Sequence, residues 1–353
     1  MWKKKSFLNR FALFLILILG CLSHSAYSQE KFTDITSYLP KNYDVTGKTD
    51  YTKYIQQAVN EKRNILLPNF PVLINDTGIT LKSNTNIKFQ RNSSFILAPS
   101  AKTNYDLIKI VNAENITLTN ANLVGDRDRH LSSKGEWGMG ITIRGGRNIK
   151  IVNATIKNFW GDGIYIARNK DVLSDNVSVT DSQFEYNRRN GISVISGRNI
   201  TVKNCSFKNH RGINPMAAID IEPNDKNDVV DGISLLNIDS QNNGKAVQIG
   251  LSRYPESKKN ISINVSGMKS LNDDYGLVIG GYYEKYKTAA QLKGKINIED
   301  VVVKSPKTKA VSLSRYYKYG PQYQFSKVQI INGNTQNYND FKKDALERGL
   351  NVN

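Results

Sequence analysis

A short repeat is the feature that most constrains the fold of this chain. The motif N-I-x-Φ-x-N, in which Φ is apolar, has clear copies that begin at Asn115, Asn148 and Asn199 and weaker copies that begin at Asn176, Gly232, Asn260 and Lys295. A second short segment of alternating apolar residues precedes each copy, at residues 141–143, 164–166, 192–194, 219–221, 247–249, 277–279 and 311–313. Strands this short cannot form an independent sheet, so each must pair in parallel with the equivalent strand of the next repeat. The sequence therefore predicts an all-β, right-handed parallel β-helix, a solenoid built from rungs of about 25 residues.

The polar end of the motif predicts a turn. The position is occupied by Asn120, Asn153, Asn204 and Asn237, with Asp181 and Asp300 as variants. Asn tolerates the left-handed backbone conformation, and its amide can bond to groups of the neighbouring rungs. We therefore assign these residues a structural role.

The first 28 residues have the pattern of a signal peptide. Three lysines at positions 3–5 precede an apolar run from Phe11 to Leu19, and residues 26–28 (A-Y-S) have the small-x-small pattern of a cleavage site. The apolar run is too short to span a bilayer comfortably, and no other segment of the sequence is a transmembrane candidate. We predict an exported protein, secreted or periplasmic, that is cleaved after residue 28. Lipidation at Cys21 is the alternative.

The remainder, residues 29–353, is predicted to be a single β-helix domain. Its N-terminal cap is expected over about 29–78, its rungs over about 79–335 and its C-terminal cap over about 336–353. A short amphipathic helix, capped by Thr49 or Asp50, is expected from Asp50 to Val59, and a final one from Asp340 to Leu350. Such caps cover the open ends of a solenoid, and we expect a monomer.

The chain is basic. It has 49 Lys and Arg against 31 Asp and Glu, and removing the first 28 residues takes away four basic residues and no acid, which leaves 45 against 31, or +14. In an exported protein this excess favours an acidic polysaccharide over nucleic acid as the partner, unless it serves only to keep a long solenoid soluble. Cys205 is then the one remaining cysteine, so no internal disulfide is expected.

Two N-terminal segments resemble a known family. Residues 44–58, which begin D-V-T-G-K-T-D-Y, and residues 64–68 (N-I-L-L-P) are similar to the segment G-D-G-x-x-D-D-T…I-Q-x-A…x-Φ-x-x-P of many pectate-lyase-like and polygalacturonase-like proteins. With its repeats, the chain resembles the pectin-lyase-like superfamily and its uncharacterised bacterial β-helix repeat proteins over nearly all of residues 29–353. The resemblance implies the fold. It does not name the reaction, because the superfamily includes hydrolases, lyases, epimerases and phage depolymerases.

The reaction motifs of the known enzymes are largely missing. Polygalacturonase-like hydrolases carry N-x-D, D-D, G-H-G and R-I-K in successive rungs. Here the segment Gly161-Asp162-Gly163 is at most a partial match to D-D, and no G-H-G or R-I-K follows it. Only scattered parts of the Ca²⁺ carboxylate cluster and basic residue of a pectate lyase are present. The Y-G-x-D-P-H type of signature of alginate epimerases is absent. The reaction must therefore be argued from the candidate site.

Outward residues of the first strands predict a groove with a carboxylate pair. Asp220 and Glu222 lie two residues apart on one strand, so both carboxylates leave the same face, with Cα atoms roughly 6–7 Å apart. Repulsion in such a pair raises one pKa and can supply the acid and the base or nucleophile of a glycoside hydrolase. Alternatively, Asp220, Glu222 and Asp225 hold Ca²⁺, the one cofactor that the sequence suggests, or the pair is an exposed acidic patch neutralised by neighbouring cations.

Further candidates lie on neighbouring rungs and corner loops. Asp162 is a third candidate carboxylate, and His210, on the loop before Asp220, is a candidate proton shuttle. A long loop from Asp126 to Gly138 is expected to form a groove wall. Binding of anionic groups and sugar rings is assigned to Arg144, Tyr165, Arg188, Arg189, Arg211, Gln248 and Trp137.

Three functions stay open on the sequence alone. The favoured one is an exported glycoside hydrolase that acts on an acidic glycan through Asp220 and Glu222. A polysaccharide lyase or C-5 epimerase acting on uronate polymers would use Arg188, Arg189, Arg211 or His210 as the base. A non-catalytic glycan-binding surface protein would use the basic and tyrosine-rich surface of the C-terminal rungs.

Overall fold

Short parallel strands make up most of the chain. The structure is a computed structural model that describes residues 31–254, 258–280, 292–314, 320–333 and 336–352, so the predicted signal peptide and Cys21 lie outside the described residues. In chain order the strands are β1 (Thr33–Asp34), β2 (Asn64–Leu66), β3 (Pro71–Ile74), β4 (Ile79–Leu81), β5 (Asn86–Lys88), β6 (Ser94–Leu97), β7 (Asn104–Val111), β8 (Glu114–Thr119), β9 (Asn122–Val124), β10 (Trp137–Arg144), β11 (Arg147–Val152), β12 (Thr155–Lys157), β13 (Ile164–Ala167), β14 (Ser174–Thr180), β15 (Gln183–Glu185), β16 (Ile192–Val194), β17 (Gly197–Lys208), β18 (Ala217–Ile221), β19 (Val230–Gln241), β20 (Lys245–Gly250), β21 (Asn260–Leu271), β22 (Tyr275–Gly280), β23 (Lys293–Lys304), β24 (Lys309–Ser314), β25 (Gln322–Ile331) and β26 (Asn351–Val352).

These strands stack into two parallel sheets, as the repeat predicts. Sheet B contains, in spatial order, β4, β7, β10, β13, β16, β18, β20, β22 and β24, and the remaining strands of the described residues form sheet A. The register aligns Ile141, Ile164, Ile192 and Ile219 in one column. All four side chains are fully buried, and each such burial stabilises the solenoid by about 1.5–3 kcal/mol. The predicted parallel β-helix is confirmed, with one face of sheet B turned inward and the other outward.

Left-handed asparagines make the corner within sheet A. Asn120, Asn153, Asn204 and Asn237 have φ values of 54–57°. The Asn153 amide donates to the side-chain oxygen of Asn120 at 2.8 Å, and Asn237 donates in the same way to Asn204 at 3.0 Å. The predicted turn and its inter-rung amide bonds are therefore present, and they hold the rungs in one register.

A second row of polar side chains runs through the buried interior and is called here the interior ladder: Asn187, His210, Asn243 and Asp273, all fully buried. Each side chain accepts a backbone N–H from the rung before it. The bonds run from Phe159 to Asn187 (3.1 Å), from Asn187 to His210 Nδ1 (3.2 Å), from His210 to Asn243 (2.8 Å) and from Asn243 to Asp273 (2.6 Å). The ladder satisfies backbone donors that the corner of each rung removes from the sheets.

Besides short 3₁₀ helices at Ile35–Tyr38 and Arg127–Arg129, two α-helices lie near the ends of the described solenoid. Helix α1 (Thr52–Glu61) follows an Asp50 carboxylate that accepts the Thr52 N–H at 2.9 Å, although the helix begins two residues later than predicted. Helix α2 (Tyr338–Glu347) begins with a capping box between Asn337 and Asp340. Neither helix has the length and apolar character that crossing a bilayer requires.

Candidate active site

A groove runs over the outer face of sheet B. It has a volume of about 770 Å³ and takes residues from successive rungs and from the loops that precede their strands. The groove is lined by Asn104, Asp106, Glu136, Trp137, Met139, Arg144, Tyr165, Arg189, Ile195, Asn214, Pro215, Glu222, Asn224, Lys245, Gln248 and Arg253. Of the residues predicted from the sequence, Glu222, Arg144, Tyr165, Arg189, Gln248 and Trp137 therefore lie together.

The loop from Asp126 to Gly138 forms one wall, as predicted. The Trp160 indole N–H donates to the Gly135 carbonyl at 3.1 Å, and Arg188 donates to the same carbonyl at 2.9 Å. The Arg188 guanidinium also lies 3.7 Å from the centre of the Trp160 ring. These contacts fix the backbone immediately before Glu136, which is half-buried, and Trp137, whose side chain is 51% exposed at the groove.

Buried groups anchor the start of the same loop. Asp126 accepts hydrogen bonds from the Tyr105 hydroxyl and from the Ser100 backbone N–H, and it lies 2.8 Å from Nδ1 of His130. The His130 ring stacks on Trp160 at 4.2 Å between centroids. A carboxylate that is fully buried with this many donors holds its partners firmly, so the wall is positioned before any ligand arrives.

Glu222 is the predicted carboxylate that reaches the groove. It follows β18 directly, and its backbone N–H donates to the Val194 carbonyl of the preceding rung at 3.1 Å. The next rung has Gly250 at the equivalent place, and a Cβ there would lie 3.6 Å from Cγ of Glu222. The glycine therefore leaves room around a half-buried carboxylate.

Asp220 lies on the same outer face but is fully buried, so of the predicted groove pair only Glu222 lines the groove, and the alternative of an exposed acidic patch does not apply to Asp220. Gln248 donates to one of its oxygens at 2.9 Å, and the Asn190 amide lies 3.4 Å from the other. Burial, and secondly the charge of Glu222, raise the pKa of Asp220 to about 7, whereas Arg189 acts in the opposite direction. Asp220 can therefore hold a proton close to neutral pH directly beside Glu222.

Asp162 also lies beneath the groove rather than in it. Its carboxylate accepts hydrogen bonds from Arg189 (2.7 Å), the Ser193 hydroxyl (2.7 Å) and the Asn190 backbone N–H (3.1 Å). Burial raises the pKa of Asp162, and Arg189 opposes that effect. Asp162 therefore holds the Arg189 guanidinium in place from beneath the groove, as a positioning residue.

The groove also carries four cations. Arg189 is paired with Asp162, Arg144 lies over the Tyr165 ring at 4.7 Å, and Arg253 donates to the Asn224 side chain at 3.3 Å. Lys245 begins β20 and is half-buried. Burial lowers the pKa of Lys245, while Asp220 and Glu222 act against that shift. The groove therefore presents fixed positive charge beside its carboxylates.

Besides Asp220 and Asp162, three more predicted site residues do not reach the groove lining. His210 is a step of the interior ladder, and burial lowers its pKa to about 3, so it is neither solvated nor able to shuttle protons near neutral pH. Arg211 pairs with Asp274 and donates to the backbone carbonyls of Asn242 and Asn243. Arg188 is committed to the groove wall.

The predicted Ca²⁺ ligands do not converge. Asp225 is paired with Arg168 at 2.7 Å, and Asp228 binds the same guanidinium at 2.8 Å. Asp220 is enclosed by Gln248 and Asn190 instead, so Asp220 and Asp225 face different partners. No cluster of three or more acidic, His or Cys residues that would suit a metal ion occurs within the described ranges.

Other groove residues were not predicted as site residues. Asp106 accepts a hydrogen bond from Thr142, and burial raises its pKa. Glu136 was placed on the predicted wall without a role, and Lys245 lies just outside the predicted strand 247–249. Repeat periodicity identifies strands well, but a groove is completed by residues before and after each strand, where the alternation ends.

The fold agrees with comparisons to known proteins. A family model described as the right handed beta helix region matches residues 59–230. The uncharacterised protein YclG of Bacillus subtilis is 26% identical over 288 residues, which cover 71% of this chain and 46% of that protein. The chain spans less than half the length of the curated relatives that it matches.

Solved structures give the same architecture. A hyperthermoactive exopolygalacturonase from Thermotoga maritima has a TM-score of 0.65 at 12% identity, with 85% of this chain and 81% of that chain covered. The A-module of the mannuronan C-5 epimerase AlgE6 from Azotobacter vinelandii has a TM-score of 0.56 at 13% identity, with 87% and 91% covered. Similarity at this level of identity establishes the fold alone.

Proposed function

We propose that this chain, a right-handed parallel β-helix protein of the pectin-lyase-like superfamily, binds an acidic polysaccharide in the groove and hydrolyses a glycosidic bond there. One observation carries the proposal. Glu222 reaches the groove beside the buried, proton-holding carboxyl of Asp220, and four cations lie on the same surface. Glycoside hydrolysis uses carboxyl groups in different protonation states, and fixed cations favour an anionic polymer.

Glu222 is proposed as the general acid. Its carboxyl and that of Asp220 repel each other when both are ionised, and this repulsion adds to burial in raising the pKa of Asp220 to about 7. Since Asp220 is enclosed, the groove carboxyl of Glu222 is the one that can protonate the leaving glycosidic oxygen. Asp220 acts through Glu222 and is a positioning residue in this scheme.

Glu136 is the proposed second carboxylate, which would activate a water molecule or attack the sugar. It lines the same groove, and its loop is fixed by Trp160 and Arg188. Burial lowers the pKa of Arg189, but the charges of Asp162, Asp220, Glu136 and Glu222 outweigh it and raise that pKa. The negative charges of Glu136 and Glu222 thus both stabilise the charged form of the Arg189 guanidinium. This common partner supports the proposal that the two carboxyl groups lie near the same sugar.

The names of the structural neighbours support a polysaccharide substrate. One is an exopolygalacturonase and another a mannuronan C-5 epimerase, and both are named for uronate polymers. An exported protein, as the first 28 residues predict, would meet such polymers. Export and the monomeric state remain predictions.

The test is incubation of the purified protein with uronate polymers and sulfated polysaccharides. New reducing ends and the ultraviolet absorbance of unsaturated uronates should be followed together. We expect reducing ends without absorbance, and we expect Glu222→Gln to lower kcat by about 10²–10⁴-fold because it removes general acid catalysis. The matched control is Glu347→Gln, an exposed residue of α2, which should retain full activity. Full activity of Glu222→Gln would contradict the assignment.

A lyase is the second candidate, because one observation favours it. Burial lowers the pKa of Lys245, and a lysine with a lowered pKa is a candidate base for removing the C-5 proton of a uronate. In that case absorbance and reducing ends would rise together. Lys245→Met would then abolish both signals, whereas Glu222→Gln would retain activity.

A further inference from the structure

The four groove cations differ in their partners. Arg189 has Asp162, Arg144 has the Tyr165 ring and Arg253 has the Asn224 side chain. Lys245 has no ion pair or side-chain hydrogen bond to any residue of the described chain. Its ammonium group is half-buried at the groove surface, on the rung that follows Glu222.

An ammonium group in this position is costly for the free protein. Partial burial removes water from the charge, and no carboxylate within ion-pair distance compensates for that loss. The charges of Asp220 and Glu222 act on Lys245, but Asp220, on the adjacent strand β18, is enclosed by Gln248 and Asn190. A cation kept in this state is compensated when an anionic ligand enters the groove.

A second donor lies close by. The Nε atom of Arg189 is buried and has no hydrogen-bond partner, although the same guanidinium is paired through Nη1 with Asp162. The charge of Arg189 acts to lower the pKa of Lys245, so the two cations lie within electrostatic reach of each other. Two cations near each other with free donor capacity are suited to one anionic oxygen group.

We infer that Lys245, with Arg189, binds the carboxylate or sulfate of a sugar unit next to the bond positioned at Glu222, and that Lys245 selects anionic over neutral glycans. This inference rests on the proposed function and adds the residue that determines specificity. Lys245 lies opposite Ala217, at the start of the strand that Glu222 follows, and the charge of Glu222 acts on it, so a sugar contacted by Lys245 lies further along the groove from the sugar contacted by Glu222.

Kinetics with three polymers test the inference. A uronate polymer, the same polymer with its carboxyl groups reduced to alcohols, and a sulfated polymer should be compared with wild type and Lys245→Met. We expect the variant to raise KM for the preferred anionic polymer about tenfold or more, the effect of losing one charge-assisted hydrogen bond. The carboxyl-reduced polymer should show no change, and Lys245→Arg should restore part of the affinity. The polymer that shows the effect distinguishes carboxylate from sulfate.

Binding provides a readout that is independent of turnover. In the Glu222→Gln background, calorimetric titration with an anionic oligosaccharide should show the same tenfold weakening on Lys245→Met, and no change on Lys150→Met, an exposed lysine of β11 in sheet A. Unchanged affinity on Lys245→Met, while the wild type binds and cleaves the polymer, would overturn this inference alone. A loss of kcat on the uronate polymer with KM unchanged would overturn it in favour of a base. Absence of binding and cleavage by the wild type would overturn the proposed function as well.

Discussion

At the residue scale, Asp220 shows how burial changes the meaning of a pattern. The i, i+2 spacing correctly places Asp220 and Glu222 on the outer face of sheet B. Spacing does not show that Gln248, Asn190 and the surrounding groove residues close over the first carboxyl. The outward pair predicted from the sequence is therefore one half-buried carboxyl at the groove and one fully buried carboxyl.

Because its pKa is raised on folding, Asp220 should make stability depend on pH. A carboxyl with a folded pKa of about 7 binds a proton in the folded state at pH values where the unfolded chain, with a pKa of about 4, has lost it. Its contribution to stability is thus fully present below about pH 4 and is lost as the pH rises through about 7. Asp220→Asn cannot titrate, so the wild type should lose on the order of 4 kcal/mol of unfolding free energy relative to this variant between about pH 4 and about pH 8.

Denaturant unfolding of both proteins over that pH range measures the difference. Asp273, whose pKa burial raises to about 6, shifts the stability of both proteins in the same direction and cancels in the comparison. Parallel stability curves for the two proteins would show that Asp220 is ionised in the folded state at all these pH values, and the proposed proton-holding pair would then fail.

At the scale of elements, the interior ladder replaces the predicted proton shuttle. His210 Nδ1 accepts a hydrogen bond from the Asn187 backbone N–H, and the His210 backbone N–H donates to the Asn243 side-chain oxygen. The His210 ring packs edge-on against Phe207. His210→Ala should cost about 2–4 kcal/mol of unfolding free energy, because it opens a cavity and leaves the Asn187 N–H without an acceptor. His210→Asn, which copies the neighbouring steps of the ladder, should cost less.

Thermal unfolding and kinetics together check this assignment. Both variants should retain the kcat of the wild type at temperatures where they are folded, because His210 does not line the groove. A loss of kcat in His210→Asn without a loss of stability would restore the shuttle predicted from the sequence.

The elements that the sequence predicts best are those whose pattern is fixed by neighbours on both sides. Each inward Ile must match the rung above and below, so the strands of sheet B and the Asn corners follow from the repeat. Loop residues have no such constraint. The side chains of Arg188 and Arg211 donate hydrogen bonds to backbone carbonyls. No pattern of side chains encodes the positions of those carbonyls. The sequence therefore cannot show that these two guanidinium groups already have partners within the protein.

At the scale of the whole molecule, two explanations of the positive charge make different predictions. A charge that only keeps the solenoid soluble is spread over its surface, whereas a charge that binds an acidic polymer is concentrated in the groove. The groove holds Arg144, Arg189, Lys245 and Arg253, while exposed lysines such as Lys150, Lys203 and Lys269 lie on sheet A. Charges separated by more than a Debye length, about 8 Å at physiological salt, contribute little to a bound ligand.

Neutralising one groove cation should therefore matter more than neutralising three distant ones. We expect Arg253→Gln to weaken binding of an anionic polymer severalfold, because this exposed rim residue loses its attraction to the ligand, and we expect the effect to shrink at high salt. The triple variant Lys150→Gln, Lys203→Gln and Lys269→Gln, which removes more charge, should bind as the wild type does. Titrations at low and high salt compare the two. If the triple variant loses more affinity than Arg253→Gln, the polymer is bound by the general surface of the solenoid, and the protein is then a glycan-binding surface protein with no reaction centred on the groove.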